Sequence, residues 1–282
     1  MSIQPRQLRP IIRWAGGKRW LLPEIESLAN IWNPDTFYEP FVGGGAIYLG
    51  LAWPRPTISD VNEALIAAYR GIAEAPMAVE ARLATLPVSR PIYERLKKTA
   101  PLSDTEHAVR LLYLNRCGYG GIYRTDRRGN YNVPFSGDRS TDSLWKDDRI
   151  GALADTLRDT RVLAGDFETA LEDVSAGAFV YCDPAYALPG PETTFRRYSP
   201  AAFAWDDQKR LAEVAHELRG RGALVVVSNS SDARVARLFR GGVTRVFNRR
   251  LRLPKARGAT LEEAIYVLGQ AADLQSLSGW AV

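Results

Sequence analysis

The chain has 282 residues, 46% of them hydrophobic and 24% charged, with a net charge of +5. That composition belongs to a folded protein with a sizeable core and excludes disordered and collagen-like classes, while no run approaches the roughly eighteen apolar residues of a membrane helix. The only cysteines, Cys117 and Cys182, lie far apart and the only histidines are His107 and His216, which argues against a disulfide framework, a metal site and a Ser-His or Cys-His nucleophile.

The first ten residues hold no apolar stretch of the signal-peptide kind, so the expectation is a cytoplasmic protein. Residues 20–31 carry apolar side chains at helical spacing, with Pro23 tolerable in a first turn. Residues 36–41 predict a short aromatic strand running into Gly43-Gly44-Gly45, with a helix from Ala46. A second short strand, 57–59, closes on Asp60, and 61–72 repeat the helical pattern. Residues 75–160 break this rhythm. Helical patterns at 91–99 and 107–116 precede a stretch dense in glycine, asparagine, tyrosine and arginine, which predicts turns and a hairpin with Arg128-Gly129-Asn130 at its tip. Residues 161–165, 179–182, 223–228 and 264–269 are apolar enough for buried parallel strands, with a helix over 208–220. The alternation predicts an α/β fold with a mostly parallel sheet, its halves 1–74 and 161–282 separated by an inserted module, 75–160.

Charge is concentrated. Residues 6–19 carry five basic side chains and no acid, 110–139 carry six arginines against Asp126 and Asp138, and 245–257 carry six basic residues and no acid. These stretches hold +15, leaving −10 for the remainder. Such segments point to a polyanionic partner; solvated arginine faces are the plainer alternative.

Three motifs carry chemistry. The glycine turn after 36–41 removes side chains where a ligand could approach the backbone, and Asp60 ends the next strand where an acid can bind ribose hydroxyls, a pattern that fits an adenosine-containing cofactor or an ordinary turn. Arg13-Trp14-Ala15-Gly16-Gly17-Lys18 lacks the spacing of a phosphate-binding P-loop; Trp14 could pack a flat ligand and Lys18 meet a carboxylate, or both could be structural. The sharpest is Tyr181-Cys182-Asp183-Pro184-Ala185-Tyr186, after a strand. An exocyclic base amine is a poor nucleophile because its lone pair is delocalised. Asp183 and the Pro184 carbonyl could each accept one amine hydrogen and localise that pair, with Tyr186 stacked on the base. An Asp-Pro turn beside a core tyrosine is the alternative.

Taken in order, these motifs resemble the Dam-type (D12 class) DNA adenine N6-methyltransferases over nearly the whole chain. The family's opening K-W-A-G-G-K is similar to residues 13–18, its F-x-G-x-G to Phe41-Val42-Gly43-Gly44-Gly45, and its D-P-P-Y to Asp183-Pro184-Ala185-Tyr186. Asn115-Arg116, Tyr119 to Arg124 and Gly129 to Phe135 resemble its target-recognition hairpin, and Ser228-Asn229-Ser230 and the basic 245–257 stretch also fit. The resemblance implies a Rossmann-like S-adenosylmethionine-dependent methyltransferase sheet with an inserted, mostly helical target-recognition domain. It implies double-stranded DNA as partner, no metal, no membrane, and a monomer or weak dimer. Trp14, Lys18, Phe41, Gly43, Asp60, Asp166, Phe167 and Asp183 would bind the cofactor. Asp183, Pro184 and Tyr186 would act on an adenine flipped out of the duplex. Tyr119 would fill the vacated stack, Arg124 would read a guanine, and Arg116, Arg127 and Arg128 would meet phosphates, with Asn132 and Pro134 also at the DNA.

Two departures stand out. Ala185 replaces the family's second proline, which keeps the Pro184 carbonyl but lifts a restriction on its backbone and predicts reduced, retained activity. Tyr119-Gly120-Gly121 lacks an asparagine often found after the aromatic, and Asp126 stands where asparagine is common, which leaves the family's usual GATC target open. A cytosine N4-methyltransferase is the nearest rival, against which Asp183 weighs. A DNA-binding homologue inactivated at Ala185 is the rival of another class.

Overall fold

The computed structural model describes residues 2–6, 8–126, 128–137, 149–186, 203–250, 260–270 and 274. Arg127 and the part of the third basic stretch beyond residue 250 therefore lie outside the described residues. The strands are β1 (Thr36–Glu39), β2 (Pro56–Asp60), β3 (Arg161–Ala164), β4 (Ala178–Cys182), β5 (Leu224–Ser230), β6 (Val243–Arg250) and β7 (Thr260–Leu268). They form one sheet in the order β3-β2-β1-β4-β5-β7-β6. The first five are parallel neighbours, with Phe37 beside Pro56 on one side and Phe179 on the other, whereas β7 runs antiparallel to both β5 and β6.

Alternation along the strands divides the core. Phe37, Phe179, Tyr181 and Val226 face one layer, while Tyr38, Val180, Cys182, Val225 and Val227 face the other. The first layer holds α1 (Leu22–Trp32), α2 (Glu63–Glu74), α3 (Pro76–Ala84), α4 (Arg90–Lys98), α5 (Asp104–Cys117) and α6 (Arg149–Leu157); the second holds α7 (Phe167–Leu171), α8 (Trp205–Gly220) and α9 (Ala233–Leu238). Helix starts follow capping chemistry: Asn62, Ser89 and Ser103 accept from Leu65, Ile92 and Glu106 amides, and Pro23, Pro76 and Pro91 sit in first turns. Helices α3 to α6 come from the inserted stretch, yet α5 packs on α2 and both share one continuous apolar cluster.

Three sequence expectations are corrected. No helix follows Ala46: residues 46–50 are turns, because Tyr48 N donates to the Glu39 carboxylate and Gly50 N to Ile47 O, which interrupts the helical ladder. Strand β3 is not buried, since it stands at the sheet edge with Arg161 and Ala164 exposed. The 264–269 stretch belongs to an antiparallel strand, and its other neighbour β6 comes from the basic segment, where a run of arginines hides the strand pattern.

Candidate active site

The strand order reverses between β1 and β4, and connections leaving opposite faces open a crevice at their carboxyl ends. A cleft of about 1040 Å³ lies there, walled by the opening loop (Trp14, Lys18), the turn after β1 (Phe41, Gly43) and the Asp183-to-Tyr186 segment after β4. Neither cysteine offers a nucleophile: both are buried, and burial pushes both thiols up.

The glycine turn has a reason beyond ligand access. Gly43 adopts φ +47°, and a Cβ there would stand 2.6 Å from Trp14 Cδ1, so the indole itself requires glycine. Asp60 braces the same turn: its carboxylate accepts from Gly43 N at 3.0 Å and Asn62 N at 2.9 Å, and burial pushes its carboxyl up. The Trp14 ring stacks on Tyr123, centroids 5.2 Å apart.

At the cleft floor, polar side chains converge from four segments. Lys18 is 4% exposed; its ammonium donates to Gly16 O at 2.6 Å and lies 3.1 Å from Asp183 Oδ1 and 3.8 Å from Glu263 Oε2. Ser228 Oγ donates to Asp183 Oδ1 at 2.7 Å. The Tyr186 hydroxyl donates to Glu263 Oε2 at 2.9 Å and lies 3.0 Å from Ser228 Oγ, while Lys18 Nζ stands 4.8 Å above its ring. Burial pushes the Asp183 carboxyl above the usual aspartate range, opposed by Lys18 and by the Ser228 hydroxyl. Behind the segment, buried Gln208 donates to Ala185 O at 2.8 Å and accepts from Asn229 Nδ2 at 2.8 Å. The position that lacks the family's proline is thus tied to α8.

The proposed cofactor residues fall into two groups. Trp14, Lys18, Phe41, Gly43 and Asp183 line the cleft, whereas Asp60, Asp166 and Phe167 do not. Asp166 caps α7 through Glu168 N and accepts from Arg210 at 2.8 Å; Phe167 is 3% exposed, clustered with Phe41 and Phe203, with the Arg210 guanidinium 5.0 Å from its ring.

The recognition stretch abuts the opening loop. Buried Asn115 accepts from Arg13 N and donates to Arg13 O and Gly121 O, each at 2.8 Å. Arg116, expected at a phosphate, donates to Ile11 O at 2.6 Å, an internal tie. Tyr119 is 64% exposed, its amide held by Pro134 O at 2.9 Å. Arg124 donates to Asn132 Oδ1 at 2.7 Å and to Asn132 O at 3.2 Å. The hairpin tip forms as the turn residues predict, closed by Asp126 N to Asn130 O and Gly129 N to Asp126 O, with Arg128 exposed. Glu263 and Gln208 carry no weight in the sequence, and Tyr123 enters there only as part of the recognition stretch, not as the stacking partner of Trp14. For Glu263 a signal exists: Ser228-Asn229-Ser230 on β5 and Glu262-Glu263 on β7 are polar runs in strands whose flanks are apolar.

The sheet is therefore a doubly wound α/β sheet with an antiparallel last strand and a carboxylate at its switch point, where such folds bind their ligands. A family model described as D12 class N6 adenine-specific DNA methyltransferase matches residues 14–250. The chain is 32% identical over 243 residues to the Type II methyltransferase M1.LlaDCHI of Lactococcus lactis subsp. cremoris, covering 83% of this chain and 85% of that protein. It is 28% identical over 243 residues to a DNA adenine methylase of Vibrio cholerae serotype O1 (84% and 86% covered), and 29% over 227 residues to that of Escherichia coli K12 (78% and 80% covered). The chain belongs to the D12 class N6 adenine-specific DNA methyltransferases, enzymes that use S-adenosylmethionine as methyl donor. No helix among the described residues is long and apolar enough to cross a membrane, and no group of potential metal ligands occurs among them.

Proposed function

We propose that the enzyme methylates N6 of an adenine flipped out of duplex DNA, with residues 1–74 and 161–282 as its catalytic domain and 75–160 as its target-recognition domain. The observation that carries this reading is the clamped Asp183 carboxylate beside Pro184 and Tyr186 at the switch-point cleft. Asp183 accepts one amine hydrogen and Pro184 O the other, and Tyr186 stacks on the extruded ring. Withdrawing both hydrogens from the ring plane localises the nitrogen lone pair for attack, and fixed acceptors need no reorganisation as charge develops.

The cleft's donor set suits the cofactor: an ammonium (Lys18) for a carboxylate, an acid (Asp183) for a cationic group, and aromatic faces (Phe41, Trp14) for a planar base. Bound there, S-adenosylmethionine supplies an electrophilic methyl on a sulfonium. Asp60 acts at its margin by shaping the Gly43 turn, and Asp166 and Phe167 from the adjoining layer. Arg124 is proposed to read a guanine in the major groove, preset by Asn132; Tyr119 to occupy the gap left by the base; Arg127, Arg128 and Pro134 to lie along the backbone of the DNA. GATC is the proposed target.

The test is product identification. DNA methylated with labelled cofactor and hydrolysed to nucleosides yields label in N6-methyladenine, and GATC sites become resistant to a methylation-sensitive nuclease. Label in N4-methylcytosine overturns the base assignment; label in adenine with GATC still cut overturns only the target.

A further inference from the structure

Glu263 is a carboxylate inside a sheet, 4% exposed, on β7 opposite Ser230 of β5 and Phe247 of β6. A buried charge is costly, and an apolar residue at such a place is often neutral or stabilising. What Glu263 touches gives it another use: the Tyr186 hydroxyl at 2.9 Å and the Lys18 ammonium at 3.8 Å, both residues of the cleft wall.

We propose that Glu263 is a positioning residue of the methyl-transfer site, holding Tyr186 by its hydroxyl so that the ring presents a fixed face to the target base. The inference rests on the reading of Tyr186 as the stacking surface. A tyrosine ring has two side-chain torsions, and the far end here is pinned. Its hydroxyl is seated between Glu263 Oε2 and Ser228 Oγ, with Lys18 Nζ over the ring at 4.8 Å. The near end is pinned as well, through the Gln208 bond to Ala185 O one residue earlier. With Lys18 over one face, the base takes the other. Ser228 joins the two halves of the device, because the hydroxyl that neighbours Tyr186 also donates to Asp183 Oδ1 at 2.7 Å. The stacking ring and the amine acceptor are thereby set in one register, and a displacement of about 1 Å in such a register costs up to roughly 100-fold in rate.

Single-turnover methyl transfer to a duplex carrying the site found by modified-base sequencing tests this. Glu263→Leu and Tyr186→Phe remove the same hydrogen bond from opposite ends while keeping volume and ring. Each is expected to slow transfer roughly 10- to 100-fold with cofactor and duplex Kd near wild type, and the double variant to be no slower than either. Glu263→Gln, whose amide oxygen still accepts from the hydroxyl, is expected to restore most of the rate. With 2-aminopurine at the target position, the fluorescence of the extruded base rises in Glu263→Leu and Tyr186→Phe, because a loosened ring quenches it less.

Wild-type transfer by Glu263→Leu, additive losses in the double variant, a Glu263→Gln defect as deep as that of Glu263→Leu, or a loss confined to cofactor Kd each overturns the proposal. Should Glu263→Leu fail to fold, Tyr186→Phe reports on the same bond. Tyr186→Ala separates the two readings. If it transfers at the wild-type rate, the stacking role itself is wrong. If it is crippled while Tyr186→Phe and Glu263→Leu are not, only the Glu263 inference fails.

Discussion

Asp183 stands between opposed influences: burial raises its affinity for a proton, while Lys18 and Ser228 favour the carboxylate that an amine hydrogen needs. Removing it leaves the amine lone pair in the ring, so Asp183→Ala should lower single-turnover transfer by at least ~100-fold. A gel-shift assay should show duplex binding near wild type; parallel loss of binding would assign Asp183 to DNA contact instead. Glu39 presents a different balance. It is 3% exposed and accepts from Tyr48 N at 2.8 Å, and burial pushes its carboxyl well above the ordinary glutamate range. The folded state therefore binds this proton more tightly than the unfolded chain does. Its stability is full below the unfolded glutamate's pKa and is lost as pH rises through the raised folded value. Glutamine keeps an acceptor for Tyr48 N without titrating, so the thermal midpoint of Glu39→Gln should gain on wild type from about pH 5 to pH 8. Parallel midpoint curves would refute this.

At the scale of elements, the opening loop is shared property. Trp14 demands glycine at 43 on one side and stacks on Tyr123 on the other, and Asn115 holds the Arg13 backbone and Gly121 O together. Asn115→Ala leaves buried backbone groups unpaired and should destabilise the fold by about 3 kcal/mol, read as a shift of the urea midpoint without a change in slope. A shift within error would mean that water replaces the side chain. The elements themselves were legible where pattern and period agree: α2 and α8 by their apolar faces, β4 and β5 as apolar runs, and the hairpin by its turn residues. Residues 46–50 were not, because a glutamate from β1 captures the amide that a helix would use. Strand β6 was hidden for another reason, since arginines alternating with Val243, Val246 and Phe247 read as a charged run when no partner strand is in view. Of the site, residues adjacent in sequence could be read directly. Glu263, 77 positions from Tyr186, comes to it only through the antiparallel pairing of β7 with β5.

For the molecule as a whole, the insert does not stand apart: its helices share a core with the sheet, and its turn at Gly121 lies against Arg13 beside the cleft. A duplex held by the hairpin would therefore be held next to the catalytic segment. Two arginines of the same hairpin should act differently. Arg124, braced by Asn132, should on replacement by alanine relax discrimination at one base pair by roughly 1–3 kcal/mol. Arg128 is exposed at the tip, and its replacement should weaken all sequences alike and flatten the log–log salt slope by about 0.9. Binding titrations on target and altered duplexes at several salt concentrations distinguish them; a uniform loss for Arg124→Ala would reject its reading role. The structure of the enzyme with its target duplex and a non-reactive cofactor analogue measures the geometry of the acceptors directly. The expected result is an adenine outside the helix, its N6 about 3 Å from both the Asp183 carboxylate and Pro184 O, with its ring on Tyr186. An adenine still paired in the duplex, or an extruded one whose amine faces neither acceptor, would contradict the account.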